Sequence, residues 1–335
     1  MRYKALALQT TCFAINAALT PEEARKRMQH NVERIEQQIQ ASKRFIGPDL
    51  RLVVLPEYFL TGFPMGEDID QWQRKACLYP DDLLWTRLGA IARQQQIYLS
   101  GNVYDLDEHF PDLYFQSSFV LSPTGERILH YRRLNSMFAP TPHDVWDKYL
   151  EVYGLEAVFP VADTELGRLA CIASEEILYP EIARCLLMRG AEVFLHSTSE
   201  VGSPQLTPKN VAKLARAIEN IAYVVSANSA GIADIAIPFA SADGGSKIVH
   251  YEGHVLCEAG FGESMVAHAT LDIGALRAHR ARPGMANYIA RQRFELFSES
   301  YARYSFYPPN RFLNKKPERS DFMENIRQAA ARWSE

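Results

Sequence analysis

The sequence predicts an α/β protein whose sheets are covered by helices. Three observations carry this. Short apolar runs alternate with amphipathic helical patterns through both halves of the 335 residues, the pattern of strands buried beneath helices. Two segments pair apolar strands across a polar, glycine-containing turn. No Ser/Gly-rich linker divides the chain, and its length suits one large α/β unit with an extended core.

The elements follow in order. Ala5-Leu6-Ala7-Leu8 opens with a strand. Thr20-Pro21-Glu22-Glu23 starts a helix, with a Thr N-cap, Pro at the first helical position and an acid three residues after the cap. Met28, Val32, Ile35 and Ile39 then make one apolar face. Leu52-Val53-Val54-Leu55 reads as a strand covered on both sides. Leu84, Leu88 and Ile91 mark a second helix, and Ile97 to Ser100 another strand. The hairpins are Phe119 to Leu129, turning at Gly125, and Lys247 to Leu256, turning at Gly253. Each comes late in its half, so the chain reads as two similar half-sheets. In the second half, Leu169 to Ala173 is a strand. Pro180-Glu181 opens a helix bearing Ile182, Cys185 and Leu186, which Gly190 ends. Val193 to Leu195 is a strand, Thr207-Pro208 caps a helix with Val211, Leu214, Ala215 and Ile218 expected inward, and Val224-Val225 begins a further strand. The division expected is a body over 1–282 and a tail over 283–335. That tail is rich in Tyr and Phe and is too apolar to stay solvated, so it must pack on the body or across a subunit interface.

Composition excludes several classes. Apolar content of 47% and charged content of 23% are ordinary for a globular protein, and net charge is −4. No basic stripe suggests nucleic acid as a partner. No apolar run is long enough to span a bilayer, and Met1-Arg2-Tyr3-Lys4 leads into a strand without a secretory h-region. Five cysteines, an odd count with no CxxC spacing, argue against disulfides and a zinc site and fit a cytoplasmic location. No metal or cofactor motif is present, so none is expected.

Three places carry candidate chemistry. In Leu55-Pro56-Glu57-Tyr58 a carboxylate stands where the chain leaves a buried strand. His130-Tyr131-Arg132-Arg133-Leu134 closes the first hairpin. In the stretch from Gly167 to Glu181 a buried strand ends at Ser174, and a helix opens at Pro180. A side chain at such a junction is presented at the strand's end, near free backbone N–H groups. Each alone reads as an ordinary cap, surface pair or turn.

Together, in this order, they resemble the signature of the nitrilase superfamily of carbon–nitrogen hydrolases. Glu57 matches its Glu, Arg133 falls at its Lys, and Ser174 falls at its Cys, six residues before Pro180. Arg189-Gly190-Ala191-Glu192, the Ala-Asn-Ser-Ala-Gly of 227–231, and Gly245 to Ile248 leading to Gly253 extend the likeness over residues 5 to 275. The resemblance implies a four-layer αββα sandwich and a homodimer or larger homo-oligomer. It implies Cys-type nucleophilic attack on an amide or nitrile carbon, Glu as general base then acid, and a cation at the oxyanion. It also implies a second, positioning acid between the Lys and Cys places, for which Asp144 is the candidate. Glu175 and Glu176 followed by Tyr179-Pro180-Glu181, with no Trp after the nucleophile place, resemble the amidase-type branches. The substrate implied is a small linear amide, with a nitrile as alternative. The pocket is expected to be lined by Tyr58, Phe63 and Met137, by Glu175, and by the loop that begins at His196 and Ser197.

Two departures matter. A serine hydroxyl is far less acidic than a thiol and demands a well-aligned base. Cys171 is no substitute, because an odd offset along a strand points to the opposite face. Arg133 keeps the charge of Lys but not its shape. Either the pocket is adjusted for it or a Lys elsewhere intrudes, with Lys148 as a distant possibility. Three explanations of Ser174 stand open: a Cys→Ser change in an otherwise active amidase, a natural non-hydrolytic relative that binds a ligand or partner, and a serine-dependent hydrolase. A scaffolding protein acting through its aromatic tail is the reading from another class.

Overall fold

The computed structural model describes residues 1–203 and 205–333. The first half runs β1 (Arg2–Ala7), β2 (Cys12–Phe13), α1 (Pro21–Ile46), β3 (Leu50–Val54), α2 (Ile69–Ala76), α3 (Leu83–Gln95), β4 (Tyr98–Leu106), β5 (Tyr114–Leu121) and β6 (Arg127–Arg132). After α4 (Trp146–Tyr153) come β7 (Ala162–Thr164), β8 (Gly167–Ala173), α5 (Pro180–Met188), β9 (Val193–Ser197), α6 (Pro208–Asn220), β10 (Tyr223–Ala227) and β11 (Ile232–Ala233). β12 (Lys247–Val249), β13 (Val255–Glu258), β14 (His268–Asp272), α7 (Ile273–Ala281), α8 (Glu295–Arg303) and α9 (Arg319–Ala331) complete it.

Two six-stranded sheets result, ordered β14-β1-β3-β4-β5-β6 and β13-β12-β10-β9-β8-β7. The two expected half-sheets are therefore present, each with a parallel centre and antiparallel pairing at both edges. The halves are tied together twice. β14 returns from the second half to pair antiparallel with β1, and β2 pairs with β11.

Alternation along β3 explains the layering. Leu52 and Val54 face the second sheet, in one cluster with Leu169, Cys171, Val193 and Val225. Val53 and Leu55 face outward, onto Met28, Val32, Ile35 and Ile39 of α1 and Leu88 of α3. These α1 side chains are at most 2% exposed, and each contributes roughly 1.5–3 kcal/mol by leaving water. Cys171 does point between the sheets, with its Sγ 3.8 Å from Ser100 Oγ. The α1 cap forms as read: Thr20 Oγ1 accepts from Glu23 N at 3.2 Å. The first hairpin turns at Gly125 with φ +87°, where any Cβ would lie 2.8 Å from the carbonyl oxygen of Gly89.

One helix is rotated from its expected setting. Thr207 caps α6, but Val211 and Ile218 are 49% and 41% exposed, while Lys213, Arg216 and Asn220 are buried. Specific partners make the polar face the inward one. Lys213 forms an ion pair with Glu200, Arg216 Nε donates to the Ile177 carbonyl, and Asn220 donates to the Arg216 carbonyl.

The tail divides. Phe312 and Phe322 are buried in the outer core of the first half, and Arg319 donates to Tyr114 Oη at 2.7 Å. In contrast, Phe297, Tyr301 and Tyr304 are exposed. No helix among the described residues is long and apolar enough to cross a membrane.

Candidate active site

The C-terminal ends of β3, β6 and β8 meet at one cavity of about 220 Å³, whose lining includes Tyr58, Phe63, Met137, Arg133, Ser174 and Glu175. These are residues the sequence singled out. His196 and Ser197 are not in the lining; they lie buried behind it.

Glu57 leaves β3 through Pro56, and its backbone N–H donates to the Thr198 carbonyl at 3.2 Å, stitching the two sheets together. Its carboxylate is buried. Oε1 accepts from Gln116 Nε2 at 2.8 Å and from Arg133 Nη1 at 3.2 Å; Oε2 accepts from Ser199 N at 3.1 Å. These three donors fix the orientation of the carboxylate.

Arg133 follows β6 directly. Nε donates to the Asn135 carbonyl at 2.7 Å, Nη1 to Gln116 Oε1 at 2.6 Å as well as to Glu57, and Nη2 to Glu175. Burial opposes its charge, but Glu57, Glu175 and Glu176 outweigh burial and raise its pKa. The guanidinium is thus a bridge between two carboxylates.

Ser174 is the first residue after β8. Its φ of +49° lies in the left-handed region, where a residue with a Cβ is strained by roughly 1–2 kcal/mol. The strain turns the chain sharply and holds the side chain at the cavity. The Ser174 carbonyl accepts from His196 Nε2 at 2.7 Å, and His196 Nδ1 pairs with Ser226 Oγ at 2.8 Å. Burial, then the nearby Lys213, push the His196 pKa well below its ordinary value. Because a carbonyl only accepts, the proton of the neutral ring sits on Nε2 and Ser226 donates to Nδ1.

Glu176 fixes the relation between β6 and β8. It accepts from Leu134 N at 2.6 Å and Asn135 N at 3.0 Å, and from Tyr131 Oη at 2.7 Å. Burial pushes its pKa up to about 7 against these donors and Arg133. It clamps the loop carrying Arg133 to the turn carrying Ser174.

Two expectations are corrected in position. Asp144 is not brought to the cavity. It sits in the short helix Pro142–Val145 and accepts from Thr141 N and Oγ1, both at 2.8 Å, so its geometry is that of a local cap. The second acid on Arg133 is Glu175, from beyond the nucleophile place. Lys148 donates to the His109 carbonyl on the exterior, but another lysine does intrude. Lys209, in the first turn of α6, places Nζ 3.4 Å from Ser174 Oγ and 3.4 Å from Thr198 Oγ1. Nothing in its local sequence marks it. Among the described residues, the single three-membered group with metal-ligand chemistry is His250, Glu252 and His254 on the β12–β13 turn, and none of these lines the cavity.

Comparison with known proteins agrees with this fold. A family model described as carbon-nitrogen hydrolase matches residues 5–281. A formamidase of Bacillus cereus (strain Q1) is 27% identical over 244 residues, covering 70% of this chain and 66% of its own length. A carbon-nitrogen hydrolase from Helicobacter pylori G27 superposes with a TM-score of 0.69 at 18% identity, over 91% of this chain and all of that one. A mutant of the amidase from Nesterenkonia sp. AN1, which shows the result of Michael addition of acrylamide at its active site cysteine, superposes at 0.60 with 20% identity, over 90% of this chain and 99% of that one. These likenesses match the paired sheets flanked by helices.

Proposed function

The chain belongs to the carbon-nitrogen hydrolase family, and on that premise we propose that its cavity takes a small linear amide and cleaves the C–N bond, with Ser174 in the nucleophile's place. The observation that carries this reading is Ser174 itself, held at a left-handed turn on the strand end and facing the cavity that also holds Arg133. The names of the formamidase and the amidase among its relatives favour an amide over a nitrile.

In this reading Ser174 Oγ attacks the carbonyl carbon and Glu57 takes the hydroxyl proton. The same proton passes to the leaving nitrogen, and water then hydrolyses the ester with Glu57 again as base. Glu57 is held in one orientation for this by donors from Gln116, Arg133 and Ser199. Turnover is slow, because a hydroxyl is a poor nucleophile where the family employs a thiol.

A second reading, non-hydrolytic binding of the same ligand class, is favoured by one fact. Arg133 is committed to Glu57, Gln116, Glu175 and the Asn135 carbonyl rather than to an incoming oxygen. Ammonia release from a panel of small amides, measured for this chain and for Ser174→Cys, separates the two. Strong rescue by Cys supports hydrolysis. Silence from both proteins, with measurable amide binding, sinks it in favour of binding.

A further inference from the structure

We propose that Lys209 is the cation that stabilises the oxyanion formed at Ser174, in place of Arg133. The inference rests on the hydrolytic reading above and deepens it by naming a catalytic group.

The argument begins with donor accounting. A guanidinium has five N–H bonds. Those on Nε, both on Nη1 and one on Nη2 are engaged with Asn135, Glu57, Gln116 and Glu175. That leaves Arg133 a single Nη2 N–H, and turning the guanidinium further toward a developing negative charge would pull it from two carboxylates, one of which must accept a proton during the reaction. Its charge is already balanced. Lys209 differs on each count. It lines the same cavity, and among the described residues no carboxylate lies within ion-pair distance of it. Among the described residues its Nζ rests on two hydroxyls, Ser174 Oγ and Thr198 Oγ1, each at 3.4 Å. These are long, weak contacts for an ammonium with three donors, so they are readily exchanged for a charged acceptor.

Position does the rest. In the tetrahedral adduct Oγ and the oxyanion share one carbon, so an ammonium in reach of the first is in reach of the second. When Oγ bonds to the carbonyl carbon, the π electrons move onto the carbonyl oxygen and the hydroxyl proton moves to Glu57. The new negative charge then lies beside the Lys209 ammonium. Collapse breaks the C–N bond, and the nitrogen leaves with the proton from Glu57. Lys209 keeps its own protons throughout. The interaction is strong only when the oxygen is charged, which is the condition for lowering the barrier rather than tightening substrate binding. The placement of Lys209 is secured by the α6 cap, in which Thr207 Oγ1 accepts from Asn210 N at 3.2 Å.

The test uses Lys209→Met and Lys209→Arg in the full chain and in a Ser174→Cys background. With a small amide, kcat is expected to fall about a hundredfold or more in Lys209→Met, with KM little changed and partial recovery in Lys209→Arg. A second probe does not depend on turnover. A small alkylboronic acid adds to Ser174 Oγ as a tetrahedral, negatively charged adduct, and its affinity by calorimetry should fall by a like factor in Lys209→Met. Equal kcat and equal boronate affinity in wild type and Lys209→Met would overturn the proposal and return the role to Arg133. If hydrolysis is absent from every protein but boronate affinity still depends on Lys209, the hydrolytic reading falls while the assignment of Lys209 stands. If no boronate adduct forms on any of them, both fall.

Discussion

His196 Nε2 donates to the backbone carbonyl of Ser174 at 2.7 Å, and the φ of Ser174 is +49°. A buried neutral imidazole on the second sheet thus pins a strained turn on the strand beside it. The strain predicts a reversal of the usual order of substitutions. Ser174→Gly and Ser174→Ala both lose the hydroxyl, but only Ala keeps a Cβ in the left-handed region. Ser174→Gly should therefore be the more stable by about 1 kcal/mol in urea unfolding. In a His196→Ala background the turn is released and the gap should close. An unchanged gap would mean that His196 does not hold the turn.

Glu176 makes stability fall with rising pH. Burial lifts its folded pKa from 4.5 to about 7. A raised acid retains its proton in the folded state while the unfolded chain has lost it. Its contribution is therefore complete below about pH 4.5 and is lost progressively as pH rises to about 7. The full effect is on the order of 3 kcal/mol. Other groups titrate in the same window, so the useful quantity is the difference between wild type and Glu176→Gln. That difference should shift against wild type between pH 4.5 and 7 and stay flat above. A difference independent of pH would show that Glu176 is charged throughout.

Arg133 is predicted to matter for folding before it matters for chemistry. Its side chain and that of Glu57 are 7% and 0% exposed. Arg133→Met strands the Glu57 and Glu175 carboxylates without their cation and should cost about 3–5 kcal/mol. Pairing it with Glu57→Gln removes the more buried of the two charges and should recover part of that loss. Additive losses in this double-mutant cycle would mean that the two residues do not share an ion pair.

What was legible in the sequence follows from what leaves a local trace. The α1 cap, the two-sided burial of β3 and the glycine turns are written in neighbouring residues, so each was read correctly. Glu57, Arg133 and Ser174 stand out in the sequence because each lies just past the end of an element whose pattern is clear. Asp144 was misplaced because spacing along the chain cannot distinguish an acid that caps its own short helix from one that crosses to another strand. Lys209 was invisible because its relation to Ser174 spans 35 positions and depends on the rotation of α6. That rotation in turn depends on Glu200 taking Lys213 inward, which a count of apolar residues does not register.

The rotation of α6 has a consequence on the outside. Val211 and Ile218 are exposed on a helix whose polar residues face in, and Met188 at the end of α5 is half exposed; α5 and α6 pack together. Exposed apolar side chains on adjoining helices are costly in water and are stabilised by a second apolar surface. A copy of the same chain, placed by a two-fold axis, offers the same side chains in return. Sedimentation of the intact chain should therefore give a dimer or larger even assembly. Val211→Glu introduces two like charges across such an axis and should shift it to monomer at micromolar concentration. Circular dichroism should be unchanged, since Val211 makes no part of the buried core. A wild-type chain that sediments as a monomer at every concentration would refute the arrangement.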